Sequence, residues 1–136
     1  HLIKNLAIQS LKKKPVISIY GNDYNTKDGT CIRDYIHVSD LADAHLKTLK
    51  YIKAESKSLT LNCGYGKGYS VLEIAKIFKK NDNRLIVNFK SRRAGDVDVV
   101  YANVKKIKEI LKWKPKYNDI NKIIKSSIKW EKSLRL

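Results

Sequence analysis

The chain has 136 residues, 43% of them hydrophobic, and carries 29 Lys+Arg against 13 Asp+Glu for a formal net charge of +16. That length fits one domain able to bury a core of its own, and the hydrophobic content with only two prolines argues against a disordered chain. No apolar run approaches the ~18 residues of a membrane span, and no basic-then-apolar leader opens the sequence, so membrane insertion and secretion have no support.

Leu2, Ile3, Leu6, Ile8 and Leu11 lean to one side of a predicted helix over 2–13, which Pro15 ends. Val16–Tyr20 reads as a short strand and Gly21-Asn22-Asp23 as a turn leading into a loop that runs to about Arg33. Tyr35–Val38 is a short extended piece. Ser39 is then expected to cap a helix to about Tyr51, with Asp40 and Asp43 favourable near its positive end. Leu59–Cys63 reads as another strand, and Gly64, Gly66 and Gly68 as a loop. Ser70 and Glu73 have capping-box spacing at the head of a helix whose buried stripe is Val71, Ile74, Ala75 and Phe78. A strand over 84–89 and a polar loop from Lys90 to Asp98 follow. Asn103 should cap a helix to about Trp113, Pro115 breaks the chain, and Ile120–Leu134 is the last helix. Strands alternating with helices predict a single α/β domain with a small sheet.

The positive charge raises the question of a nucleic-acid partner. The basic residues are spread over every predicted helix, however, and 24 are Lys against 5 Arg, whereas phosphate and base recognition favours the planar guanidinium. Solvated helix faces account for this pattern, and no nucleic-acid partner is expected. Cys31 and Cys63 stand far apart, without CxxC spacing or a Cys/His cluster, as two reduced thiols of a cytosolic protein would.

Two motifs mimic functional ones. Gly64-Tyr65-Gly66-Lys67-Gly68 has a place for a dinucleotide loop, but Tyr69 stands where GxGxxG requires glycine and no acidic residue ends the following strand. A tight turn explains it better. Tyr101 and Lys105 match YxxxK, yet with 8 Tyr and 24 Lys chance alone supplies about one such pair. No catalytic residue is assigned. His37 and His45, with Asp40 and Asp43 between them, lack the i, i+4 spacing of a metal-binding helix, and no metal is expected.

The arginines are more informative. Arg33 lies between an acidic, glycine-containing loop and an apolar segment. Arg92-Arg93-Ala94-Gly95-Asp96 sets guanidinium groups, able to grip phosphate oxygens two at a time, beside a carboxylate able to accept from ribose hydroxyls. Two separated arginines and one acid suit a nucleoside diphosphate.

The segments HLIKNLAIQ, VISIYGNDYNTKDGTCIRDYIHVSDLADAH, LNCGYGKGYSVLEIAKIF, SRRAGDVDVVYANVKKIKEILKWKPKY and IIKSSIKW resemble, in unbroken order, the C-terminal part of the UDP-glucose 4-epimerase family. This resemblance implies the small C-terminal substrate-binding domain, residues 1–136, of a Rossmann-type nucleotide-sugar epimerase whose NAD-binding doubly wound domain would precede His1. A chain opening His1-Leu2-Ile3 without methionine reads as a domain excerpt or an incomplete sequence. The implied activity is interconversion of UDP-glucose and UDP-galactose, with NAD as cofactor held by the other domain, a homodimer when full-length, and a cytoplasmic location. It further implies that Leu2 contacts UDP, that Ser18 and Tyr20 hold uracil, and that Arg33 and Arg93 grip the diphosphate. Tyr35 would line the same site, Asp96 bind a ribose hydroxyl, and Val100 border the sugar pocket. The alternatives are a related UDP-sugar dehydratase, decarboxylase or glucuronate epimerase, or a basic binding module with no enzymatic role.

Overall fold

A computed structural model describes residues 1–135. Its elements in chain order are α1 (Leu2–Ser10), β1 (Val16–Tyr20), β2 (Ile32–Asp34), α2 (Val38–Glu55), β3 (Gly68–Ser70), α3 (Val71–Asn81), β4 (Ile86–Lys90), β5 (Val99–Val100), α4 (Lys105–Leu111) and α5 (Ile120–Ser133). They form the mixed α/β domain that the sequence implies. The strands make two small sheets. β1 pairs in parallel with β4, from Val16 opposite Ile86 to Tyr20 opposite Lys90. In the other sheet β2 is central, antiparallel to β3 and parallel to β5.

The core sits where α1 packs against α5, α3 and β1. Leu6 and Ala7 of α1, Ile74 and Phe78 of α3, and Ile123 and Ile124 of α5 are buried together with Trp113. Each buried aliphatic or aromatic side chain of this kind contributes roughly 1.5–3 kcal/mol. The start of α3 follows the sequence closely: Ser70 Oγ accepts from Glu73 N at 2.9 Å while the Glu73 carboxylate accepts from Ser70 N at 2.7 Å. The Ser70 hydroxyl also donates to Asp28, and Thr30 Oγ1 accepts from Leu72 N at 3.1 Å, which fastens the long loop after β1 to α3.

Several expectations are corrected. Leu59–Cys63 is not a strand; residues 56–67 have no helix or strand. Leu59, Leu61 and Cys63 instead line a groove beside α2, and Lys106 Nζ donates to the Thr60 carbonyl at 2.9 Å, doing part of what a ladder partner would do. The glycine loop ends earlier than expected because β3 begins at Gly68. The polar loop after β4 is followed by a two-residue strand, β5. The expected extended piece at Tyr35–Val38 shifts back to Ile32–Asp34, and α2 is capped by His37, whose Nδ1 accepts from Ser39 N at 3.1 Å. At α4, Val104 takes the N-cap position expected of Asn103, although Asn103 Oδ1 still accepts from Lys105 N at 3.1 Å. α1 ends at Ser10 and α2 runs on to Glu55.

Candidate functional site

The site is assembled from β1, β2 and the turn between β4 and β5. Side chains alternate along a strand, and β1 shows it: Ile17 and Ile19 face the core while Ser18 and Tyr20 share the open face. On the second sheet Arg33 lies opposite Tyr69 of β3 and Val100 of β5. Its neighbour Asp34 accepts from Tyr65 N at 3.2 Å and Ala102 N at 3.3 Å.

Arg93 and Arg33 converge on one carboxylate. Arg93 Nε donates to Asp96 Oδ2 at 2.9 Å, and Arg33 Nη2 lies 3.8 Å from Asp96 Oδ1. The Arg93 guanidinium also stands 4.9 Å from the Tyr20 ring centroid, within cation–π range. Two guanidinium groups share one acid, so the cluster keeps an excess positive charge. Arg93 is 63% exposed and Arg33 27%. Such an arrangement is open to an anion that offers several oxygens.

Four of the expected site residues, Tyr20, Arg33, Arg93 and Asp96, are thus brought together. Val100 is next to Arg33 on the sheet and half exposed, and Ser18 shares the face of Tyr20. Tyr35 is buried, and its hydroxyl is pushed up to about 12 by that burial, partly offset by the Arg33 charge. Leu2 lies at the rim of the core on α1. Among the described residues the Tyr35 hydroxyl makes no hydrogen bond to the arginine cluster, and the aliphatic Leu2 can offer only apolar contact. A further contact escapes sequence reasoning: Arg92, beside Arg93, closes onto Asp23 and Tyr24 of the loop after β1. The doubled arginine and the acidic-aromatic pair were both visible, but nothing in their spacing joins them.

A second polar cluster lies under α2. The Asp40 carboxylate accepts from the Tyr65 hydroxyl at 2.6 Å and from the backbone N–H groups of Lys116 and Tyr117, each at 2.8 Å. Burial alone would raise its pKa, but these bonds together hold it below the ordinary range. Tyr65 is raised by burial and by the same carboxylate. Over this pair the His37 ring stacks on Tyr117, with centroids 4.5 Å apart.

The glycine-rich turn at 64–68 does not suit a dinucleotide pyrophosphate. A Cβ at Gly64 would collide with the Asp34 carboxylate, which already takes the backbone N–H of Tyr65. An anionic ligand approaching this turn would meet a negative charge. Tyr101 is half exposed and Lys105 opens α4. Among the described residues no three His, Cys, Asp or Glu side chains converge as a metal site. Cys31 and Cys63 are free thiols, and among the described residues no helix is long and apolar enough to cross a membrane.

The sequence model of the GDP-mannose 4,6 dehydratase family matches residues 1–126. A UDP-glucose 4-epimerase of Azospirillum brasilense is 44% identical over 135 residues, covering 98% of this chain and 39% of the relative. Among solved structures, a UDP-glucose 4-epimerase from Stenotrophomonas maltophila, with bound NAD and formylated UDP-arabinopyranose, superposes with a TM-score of 0.92 at 34% identity. The match covers 99% of this chain and 40% of that one. The UDP-Glc/GlcNAc 4-epimerase of Campylobacter jejuni gives 0.85 at 45% identity, over 97% of this chain and 40% of its own. The chain therefore spans about two-fifths of the length of the relatives it matches. With a family match along nearly all of it and a TM-score of 0.92 to a solved epimerase, the chain belongs to the GDP-mannose 4,6 dehydratase family and, within it, corresponds to the C-terminal part of the UDP-glucose 4-epimerases.

Proposed function

We propose that residues 1–136 are the UDP-hexose-binding part of an NAD-dependent 4-epimerase that interconverts UDP-glucose and UDP-galactose. The observation that carries this is the convergence of Arg33 and Arg93 on Asp96 beside Tyr20. A diphosphate brings its own oxygens to the same two guanidinium groups, leaving the Asp96 carboxylate for a ribose hydroxyl. Uracil lies along the open face of β1 at Ser18 and Tyr20. Leu2 contacts the UDP moiety, Tyr35 lines the diphosphate site, and Val100 borders the sugar.

In this scheme the chain binds and orients. It holds UDP in place so that the hexose can be presented at C4, a contribution of position rather than of bond-making. NAD supplies the redox chemistry and is held by residues outside this chain, consistent with the unsuited turn at Gly64. The full-length enzyme acts as a cytoplasmic homodimer in galactose metabolism and takes no nucleic-acid partner.

Val100 is small, apolar and stiff at χ1. At the position that the resemblance implies beside the sugar, it leaves room for an N-acetyl group that a bulky tyrosine would exclude. The likeness to the Campylobacter jejuni enzyme, described as acting on UDP-Glc and UDP-GlcNAc, favours that wider substrate range.

Titration calorimetry of the full-length protein tests the proposal. UDP should bind far more tightly than uridine, and UDP-galactose should be converted in the presence of NAD. Equal affinity for UDP and uridine would refute the diphosphate site. Residues 1–136 alone, with NAD added, should show no turnover.

A further inference from the structure

Arg92 and Arg93 are adjacent but serve different partners. Their side chains leave opposite sides of the chain, Arg93 toward Tyr20 and Asp96, Arg92 toward the loop that follows β1. Three contacts hold Arg92. Its Nε donates to Asp23 Oδ1 at 2.6 Å, its Nη2 donates to the Asp23 carbonyl, and its guanidinium stands 4.1 Å from the Tyr24 ring centroid.

The seat for this side chain is firm. Tyr24 is 3% exposed. Its backbone N–H donates to Gly29 O at 3.0 Å, and its carbonyl accepts from Thr26 N at 2.7 Å. Gly21, at φ +83°, makes the approach possible: a Cβ there would fall against the Tyr24 ring and 2.8 Å from Arg92 Cγ. The Gly21 N–H in turn donates to the Lys90 carbonyl at 2.8 Å, so the end of β4 reaches Arg92 from a fixed point.

Beyond Lys90, residues 91–95 are all exposed. Arg93 pairs with Asp96 of the same turn. Between its two ends the turn reaches the rest of the fold through the longer Arg33–Asp96 pair at 3.8 Å and the Arg93–Tyr20 ring contact, both on groups that the diphosphate would engage. The turn is therefore located by its two ends. At the far end the Asp98 carbonyl accepts from Ile32 N at 2.8 Å, and its carboxylate accepts from Asn25 N at 3.1 Å. At the near end the side-chain anchor is Arg92. Asp23 neutralises Arg92, so Arg92 is occupied rather than offered to an anion. The pair is also solvent-exposed, at 42% and 69%, where ion pairs add little to stability. Its contribution is geometric.

We infer that Arg92 is a positioning residue: clamped between Asp23 and Tyr24, it sets where Arg93 stands and thereby the grip on the diphosphate, without touching the ligand. This rests on the reading of Arg93 as a diphosphate ligand. Asp23 and Tyr24, which that reading leaves without a role, become the seat of the clamp.

The test is titration of the full-length protein with UDP and with uridine, in Arg92→Ala, Asp23→Asn, Arg93→Ala and the double Arg92→Ala/Arg93→Ala variant. Arg92→Ala should weaken UDP about tenfold and leave uridine within about twofold. Asp23→Asn, which loosens the clamp while leaving every arginine in place, should show the same pattern about threefold in size. In the Arg93→Ala background, Arg92→Ala should have no further effect, because its action runs through Arg93. Parallel losses for UDP and uridine would make Arg92 merely structural and overturn the inference. Additive losses in the double variant would make it a direct ligand contact and overturn it as well. If Arg92→Ala does not fold, Asp23→Asn carries the same decision. An Arg93→Ala loss with no loss in Arg92→Ala or Asp23→Asn refutes the clamp alone. If Arg93→Ala itself leaves the preference for UDP over uridine intact, the diphosphate reading fails, and the inference with it.

Discussion

Asp40 and Asp96 are both carboxylates at the centre of polar clusters, yet they are partnered in opposite ways. Asp40 is 2% exposed and takes three hydrogen bonds from neutral donors of its own chain, two of them backbone N–H groups that cannot move away. Asp96 is partly open to solvent and is met by two charged guanidinium groups. The first cluster is closed and holds the 116–117 segment against α2. The second keeps surplus donors and positive charge, which is what an arriving anion requires. A buried acid alone does not mark a functional site; the state of its partners separates a fastening from a binding surface.

The contrast breaks most severely at Asp40. Asp40→Ala leaves a buried hydroxyl and two backbone N–H groups without their acceptor and should cost about 3 kcal/mol of stability, read from chemical denaturation. UDP affinity, measured well below the unfolding transition, should stay within about twofold. At the other cluster the pattern reverses. Arg33→Ala or Arg93→Ala in the full-length enzyme should weaken UDP by roughly 1.5–3 kcal/mol with little change in the denaturation midpoint. Lys53→Ala, on the exposed end of α2, serves as the neutral control.

The same comparison can be sharpened with pH. The folded-state pKa of Asp40 lies below its ordinary 3.8. Its contribution is therefore complete above that value and is lost as pH falls through the folded one. Asp28, which accepts from Ser70 and Thr30 and is likewise lowered, adds to this acid limb. Acid titration of stability should be shallower in Asp40→Asn than in the unmodified protein below about pH 4. An unchanged slope would show that the buried acid does not drive acid unfolding. The smallest effect is expected at Val100. Val100→Tyr should lower kcat/KM for UDP-N-acetylglucosamine relative to UDP-glucose by about tenfold through steric exclusion. A constant ratio would remove Val100 as the gate.

Local signals in the chain were good guides wherever a single segment contains its own instruction. The Ser70–Glu73 box starts α3, and Val16–Tyr20 forms β1. Arg33, Arg93, Asp96 and Tyr20, by contrast, come together from separate segments, which their spacing alone does not show. What was not legible depends on distant partners. β3 and β5 have three and two residues, too few for a period, and exist because β2 lies between them. Leu59–Cys63 has the residues of a strand but pairs with no other strand among the described residues. His37 as a helix cap depends on its ring turning back to Ser39 and resting on Tyr117, far along the chain. The Arg92 clamp depends on a loop that turns back only because Gly21 permits it.

The packing of α1 on α5 also bears on how this chain acquires its shape. Nearly the whole sequence separates the two helices, so the apolar face of α1, which also meets α3 and β1, is covered in full only after α5 has been made. The parallel pairing of β1 with β4 imposes a similar wait. Chains dominated by such distant contacts close large loops before gaining their reward, which slows folding. Within this chain α1 is made well before α5, so its apolar face waits through most of the segment's synthesis for that partner.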